Sequence, residues 1–412
     1  MKSNYRRIGD YIKPVSNRNV NDIPLPLKGI NIDKFFMPSV ANVVGTDLSK
    51  YKIVKSGQFA CNRMHVGRDK RLPVALLEGT EDIIVSPAYD VFEIKNEKEL
   101  LPEYLMMWFS RKEFDRKAWF HTDGDVRGGL PWESFKSIDV PVPSIEKQKE
   151  IVKEYEAIVN RIKLNEEINK KLEETAQAIY KQWFVEFEFP DENGNPYKSS
   201  GGEMVWNEEL EKEIPLGWEI SNIGIISNVI DCLHSKKPDQ LFEDNGHMLL
   251  QIQNIGDYGL LDITSKYFIS EFDYNLWTSR IEISEGDCIL TNVGVDAIAQ
   301  IPKGIKAALG RNMTGIRLKN DFKYPAFFIT LLLSNSMKNE IENNKDTGTI
   351  MQALNVSSIP KLRFVKGTSL ILEGFESIAR SARLEMEILF NEKQRLSELK
   401  DSLLSKLATV EG

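Results

Sequence analysis

Arg63, His65, Arg68, Lys70 and Arg71 crowd around Gly67 in one short stretch of the chain. Arginine and lysine on a loop can neutralise phosphates, and arginine can make paired hydrogen bonds to guanine in the major groove. Arg127 stands in a second glycine-marked loop, Gly124 to Gly129. A later stretch repeats the theme with Lys236 and Lys237, then Lys303, Lys306, Arg311 and Asn312. Asparagine can pair with adenine as arginine does with guanine. A solvated surface explains each cluster taken singly. Their recurrence on loop-like segments of two separate stretches makes them candidates for a nucleic-acid-binding face.

The tools of an enzyme are missing. There is no Gly-x-x-x-x-Gly-Lys-Ser/Thr phosphate loop and no Gly-x-Gly-x-x-Gly after a strand. The Asn/Asp-Pro-Pro-Tyr/Phe tetrapeptide of amino-methyltransferases is absent too, since Asn195-Pro196-Tyr197 lacks the second proline. His65, His121, His234 and His247 have no metal-ligand spacing among themselves or with the cysteines, so no metal is expected. Asp90-Val91-Phe92-Glu93-Ile94-Lys95 resembles the carboxylate-plus-lysine pattern of metal-dependent nucleases. On a strand Glu93 and Lys95 would share one face while Asp90 points the other way, so alternating polar residues on a half-buried strand is the better reading. No catalytic residue is assigned, and the chain reads as non-catalytic.

A length of 412 residues calls for two or three domains. Net charge is -8, but it is unevenly spread: residues 1–140 carry +3 and residues 141–220 carry -8. The globular stretches are near neutral and can each present a basic face. Cys61, Cys232 and Cys288 form no Cys-x-x-Cys pair, and their odd number suits a reducing cytoplasm. No apolar segment follows the basic start, and the longest apolar run, Tyr324 to Leu333, is about half a membrane span. A cytoplasmic chain without membrane contact is expected.

These residues need a frame. Residues 1–143 read as mixed α/β, with strands near Ile53, Ile83 to Val85 and Val91 to Ile94, and a helix from Pro102 to about Phe114. A long helix over 144–186 follows, capped by Ser144 and free of Pro and Gly until Pro190. Its apolar seam is Ile151, Tyr155, Ile158, Ile162, Leu172, Ile179 and Trp183, with Ala176 between and with Asn165 and Asn169 breaking it. Phe187-Glu188-Phe189 alternates like a brief strand, and 187–217 reads as a polar connector. A second globular stretch spans 218–368. A second long helix covers 369–409, with Phe375, Ala382, Leu389, Leu396 and Leu403 seven apart and Ile378, Met386, Leu399 and Leu407 filling in.

The halves repeat. An offset of 224 carries Leu130 to Leu354, Val140 to Phe364, Ile151 to Phe375 and Leu172 to Leu396. Two rods with exposed apolar stripes bury them most economically by packing antiparallel, with the globular units at opposite ends. A polar seam residue can fix register, and an irregularity at a solvated edge explains Asn165 and Asn169 equally well.

At this point the chain resembles the specificity subunit of a type I restriction-modification system. The resemblance spans essentially the whole chain. It rests on Ser56-Gly57-Gln58-Phe59, Glu285-Gly286-Asp287, Ser86-Pro87-Ala88-Tyr89 and Val140-Pro141-Val142-Pro143-Ser144-Ile145-Glu146-Lys147-Gln148. Most specific are Trp183-Phe184-Val185-Glu186-Phe187, Asn193-Gly194-Asn195-Pro196-Tyr197 and Ile214-Pro215-Leu216-Gly217-Trp218-Glu219. The second half departs from the pattern, since Arg363 to Ser369 lacks the paired prolines and the glutamine. The resemblance implies an α+β fold of two mixed α/β target recognition domains in tandem pseudo-repeat, separated by two long antiparallel coiled-coil helices. It implies that each domain reads one half of a bipartite site in double-stranded DNA. The helices would set the spacer and dock two methyltransferase (modification) subunits. This chain would bind no cofactor. S-adenosylmethionine would belong to the modification subunits, and ATP with magnesium to the restriction/translocase subunits. The competing class is a coiled-coil protein-interaction scaffold without DNA specificity.

Overall fold

The computed structural model describes residues 4–40, 45–123, 128–234, 236–241, 246–292, 297–345 and 354–409. The chain divides into two units, Met1–Ile162 with Arg395–Gly412, and Lys163–Gln394. The divisions fall inside the two long helices, Ile145–Phe184 and Ser369–Lys406, and not at the segment ends read from sequence. Each α/β region shares its apolar core with the length of helix beside it, so the helices are not separate bodies.

In the first unit, a four-stranded antiparallel sheet runs in the order Ile12–Val15, Asp90–Ile94, Phe59–Cys61, Val74–Leu76. Phe59 and Phe92 face each other in register and stack with ring centroids 4.9 Å apart. Tyr5–Arg7 pairs with Asp139–Pro141, the strand that feeds the first long helix. The expected helix from Pro102 to Phe114 is two helices, Pro102–Phe109 and Lys112–Phe120. It ends at Ser110, whose hydroxyl donates back to Met106 O at 2.9 Å, and Arg111 is extended. Gln148, fully buried on the long helix, caps the first of these: Leu101 N donates to its Oε1 at 2.9 Å. The glutamine Nε2 donates to Glu99 O and Pro143 O at 2.8 and 2.9 Å.

The second unit repeats this frame. Its main sheet runs Ser227–Asp231, Met313–Leu318, Cys288–Thr291, Ile298–Gln300, and Glu219–Asn222 pairs with Arg363–Lys366. Lys95 Nζ donates to Gly9 O and Asp10 O in the first unit, and Lys319 Nζ to Gly224 O and Ile225 O in the second. The same helical turn is thus pinned by the same lysine, 224 positions on. The glutamine cap has a different replacement: Phe327 N donates to Glu376 Oε2 at 2.8 Å, from the second long helix. What hangs between the frame strands differs. The second unit adds His247–Leu250, paired with Phe268–Ile269 and in parallel with Ala308–Leu309, and the helix Glu271–Trp277.

Two local expectations change. Phe187 to Phe189 forms no strand; Phe187 takes a left-handed φ of 64°. Both rings turn inward onto Trp218, with centroids at 5.7 and 4.9 Å. The connector holds a hairpin, Met204–Asn207 with Lys212–Pro215, because Ile214 is buried there.

In each unit the two long helices pack antiparallel. In the first, Ile151 and Val152 share a core with Leu404 and Leu407. In the second, Trp183 and Phe184 meet Phe375, while Glu166 pairs with Lys393 at 2.7 Å. Of the expected seam, Ile151, Ile158, Trp183, Phe375 and Leu389 are buried. Tyr155, Ile162, Leu172, Ile179, Ala382, Leu396 and Leu403 are half-buried. Ile378 and Leu399 are exposed, which corrects their place in the seam. A strict seven-residue ladder drifts by about 20° per heptad on a straight helix, so the core position passes from Leu403 to the buried Leu404. Asn165 and Asn169 are both buried. Asn165 Nδ2 donates to Leu389 O at 3.3 Å and Glu392 Oε2 at 2.8 Å, so it ties helix to helix within the second unit and is no solvated irregularity.

Burial raises the pKa of Glu173, Glu376 and Glu387 in this unit. For a carboxyl raised above its unfolded value, the stabilising contribution is full below the unfolded pKa and is lost as pH rises through the folded one. Glu387→Gln is therefore expected to raise the melting temperature near pH 7, with the gain fading toward pH 4. An equal gain at both would mean that burial of the charge is not the cause.

Candidate nucleic-acid interface

The described candidate residues sit in the connections between frame strands, where the two halves differ, and none of them lies on a main-sheet strand. In the first unit they follow Phe59–Cys61. The amide of Gly67 donates to Gly128 O at 2.7 Å. A Cβ on Gly67 would stand 2.6 Å from Gly128 Cα, so only glycine lets these two segments cross. Arg127 lies outside the described residues.

Arg63 is a strut. Its Nε donates to Asp90 Oδ2 at 2.7 Å, its terminal nitrogen reaches Leu130 O, and its guanidinium lies 5.3 Å from the Trp132 ring centroid. Nε is thus committed to Asp90 and one terminal nitrogen to the 128–132 segment. His65 is half-buried at the start of the helical turn Val66–Asp69. Arg68 is exposed and paired with its neighbour Asp69, and Arg71 is exposed and paired with Asp33 at 2.9 Å. Exposed pairs of this kind contribute little and exchange readily for a phosphate. Lys70, left-handed at φ 53°, places its ammonium 5.0 Å from the Trp119 centroid. Trp119 and Phe120 are exposed at 44% and 84%, which puts aromatic surface beside the cations. The nuclease-like stretch is used up structurally: Asp90 by Arg63, Glu93 by Lys13 and Gln58, Lys95 by two carbonyls.

In the second unit Lys236, Lys237, Lys303, Lys306, Arg311 and Asn312 are all exposed. Lys306 lies 3.6 Å from Glu282. Lys237 donates to Gln251 Oε1 at 2.8 Å and rests 3.9 Å above Tyr267. Lys237 and Arg311 come together on one cleft of about 180 Å3, lined also by Gln251, Ile252, Gln253 and Trp277. Lys236, Lys303, Lys306 and Asn312 do not line it. The two glutamines escaped the sequence reading, because a polar residue in an irregular segment leaves no periodic signal.

The structure brings together one group that the spacing argument kept apart. Asp231, Cys232 and His234 hold possible ligand atoms within 4.8 Å of one another. His234 Nε2 meets Asp231 Oδ2 at 2.7 Å, and Arg280 Nη1 stands 3.8 Å from the same carboxylate. Burial pushes the Cys232 thiol upward. The His234 hydrogen bond and the nearby Arg280 guanidinium on Asp231 account for this arrangement. No helix among the described residues is long and apolar enough to cross a membrane.

Residues 74–174 match the family model described as the type I restriction modification DNA specificity domain. The chain is 26% identical over 314 residues to the type I restriction enzyme MjaIX specificity subunit of Methanocaldococcus jannaschii, covering 75% of this chain and 68% of that one. It is 28% identical over 160 residues to the HindI specificity subunit of Haemophilus influenzae, covering 38% and 34%. The fold is similar to the crystal structure of the type I restriction-modification S subunit from M. genitalium, with a TM-score of 0.58 at 14% identity over 98% of this chain and 95% of that one. Residues 74–174 thus match a type I restriction modification DNA specificity domain, and over most of its length the chain is similar to type I restriction-modification specificity subunits.

Proposed function

We propose that the chain is the DNA-reading subunit of a type I restriction-modification complex, each unit reading one half of a bipartite site. The observation that carries this is the placement of the candidate basic residues: one frame occurs twice, and they fall in the connections where its two copies differ. A shared platform with unlike loops is what two different half-sites need. The chain itself supplies no catalytic group. Methyl transfer from S-adenosylmethionine falls to two modification subunits, and ATP-driven translocation and cleavage, with magnesium, to restriction subunits. The long helices, present in both units, offer the modification subunits a docking surface.

Retention of duplex DNA on the full-length chain is expected to fall about 10³–10⁵-fold between roughly 50 and 200 mM salt if about 6–10 phosphates are contacted. A bipartite site should outcompete scrambled duplex. Retention that is insensitive to salt and sequence would favour the scaffold reading.

A further inference from the structure

We propose that the cleft formed by Gln251, Ile252, Gln253 and Arg311 is where the second unit reads base edges in the major groove, while Lys303 and Lys306 contact phosphates. The proposal deepens the DNA-reading function and rests on it.

The cleft is built, and not a chance dip between loops. Leu249 and Leu250 pair in parallel with Ala308 and Leu309. The next residue, Gly310, donates its amide to Leu250 O at 2.9 Å. A Cβ at Gly310 would lie 2.3 Å from that oxygen, so glycine is what lets Arg311 stand beside Gln251. Asn254, 2% exposed, locks the other wall. Its Oδ1 accepts from Gln251 N at 2.9 Å, and its Nδ2 donates to Asp262 O and Ser265 O at 2.8 Å. Both glutamines therefore project from a fixed backbone, the preorganisation that a reading site requires.

The chemistry of the lining suits base edges. Gln251 and Gln253 each offer the donor and acceptor that adenine N7 and N6 require. Arg311 offers the fork that fits guanine O6 and N7, and among the described residues its guanidinium has no ion-pair partner to surrender. Ile252, 44% exposed between the glutamines, can meet a thymine methyl. Among the described residues no carboxylate lines the cleft. Lys237 and Ser265 currently occupy the glutamine amides and hold them in place until a base edge replaces them. A volume of about 180 Å3 is below the roughly 300–1,000 Å3 of pockets that enclose a drug-sized ligand, which suits contact with the edge of a base pair. Lys303 and Lys306 lie outside it on an exposed turn.

The test is selection from a randomised duplex pool on the full-length chain, followed by sequencing of what is retained. Arg311→Lys keeps the charge and loses the fork. It should relax the preference at one base pair of one half-site and weaken the best sequence about 5–150-fold, leaving the other half-site unchanged. Gln253→Ala should relax a neighbouring position. Lys303→Ala with Lys306→Ala should weaken all sequences alike and reduce the salt slope by about 2. If Arg311→Lys and Gln253→Ala leave the selected motif intact, the cleft does not read bases although the chain reads DNA. If the unaltered chain selects no motif, the DNA-reading function falls and the proposal with it.

Discussion

Phe375→Ala is expected to destabilise the second unit by about 3–5 kcal/mol, the usual cost of emptying a buried aromatic site. The ring is 0% exposed and lies at the meeting point of both long helices and the α/β region of that unit. It meets Tyr180, Trp183, Phe184 and Phe327 edge-on, with centroids 6.0, 5.9, 5.3 and 6.0 Å away. Each such pair adds about 0.5–1.5 kcal/mol beyond simple burial. Four rings held by packing cannot all collapse into the space of one without leaving their rotamers, so the cavity persists. Ile378→Ala, three residues along the same helix at a site 43% exposed, is the control and should stay within about 0.5 kcal/mol. Urea unfolding measures both. A lowered midpoint at constant slope for Phe375→Ala alone is the expected result. Equal midpoints for the two variants would refute the ring cluster as the core of this unit.

The contrast between Phe375 and Ile378 also marks how far the sequence can be read. Spacing identified two long helices and a repeat at an offset of 224, because periodicity survives wherever one face must be buried. Asn165 and Leu389, matched by that offset, are in hydrogen-bond contact. Spacing could not say which flank of the second helix faces inward. That depends on how nearly straight the helix is, and a drift of about 20° per heptad puts Ile378 and Leu399 outside. Local breaks were opaque for a similar reason. Nothing in the apolar pattern tells that Ser110 stops a helix or that Phe187 turns left-handed, since both outcomes are decided by tertiary contacts. In the candidate interface, residue type marked Arg63 and Arg311 alike. Only the fold separates an arginine spent on Asp90 and Leu130 from one that lines a cleft and has no ion-pair partner among the described residues.

The missing glutamine of the second half has its own physical consequence. Gln148 and Glu376 both cap a helix that packs on the frame sheet, but they are not interchangeable. Gln148→Glu is expected to cost about 2–5 kcal/mol near neutral pH. The new carboxylate could still accept from Leu101 N. It would also face Glu99 O and Pro143 O, which now receive the amide of Gln148, in a site 0% exposed. Burial and two carbonyl dipoles would raise its folded pKa above the unfolded one. Its stabilising contribution would then be present below the unfolded value and lost as pH rises, so the variant should come closest to the parent near pH 4 and fall furthest behind near pH 8. Gln148→Leu, which cannot titrate, should show a loss independent of pH. Glu376→Gln should be mild, because an amide oxygen can still accept from Phe327 N and only the pairing to the largely exposed Arg380 is given up. Thermal melts of the three variants across that range decide the matter. A Gln148→Glu chain as tolerant as Glu376→Gln, or one whose deficit ignores pH, would mean that the two amide hydrogen bonds do not hold the cap. The asymmetry follows from one difference: the first unit caps its helix with a group that must also donate, and the second with a group that only needs to accept.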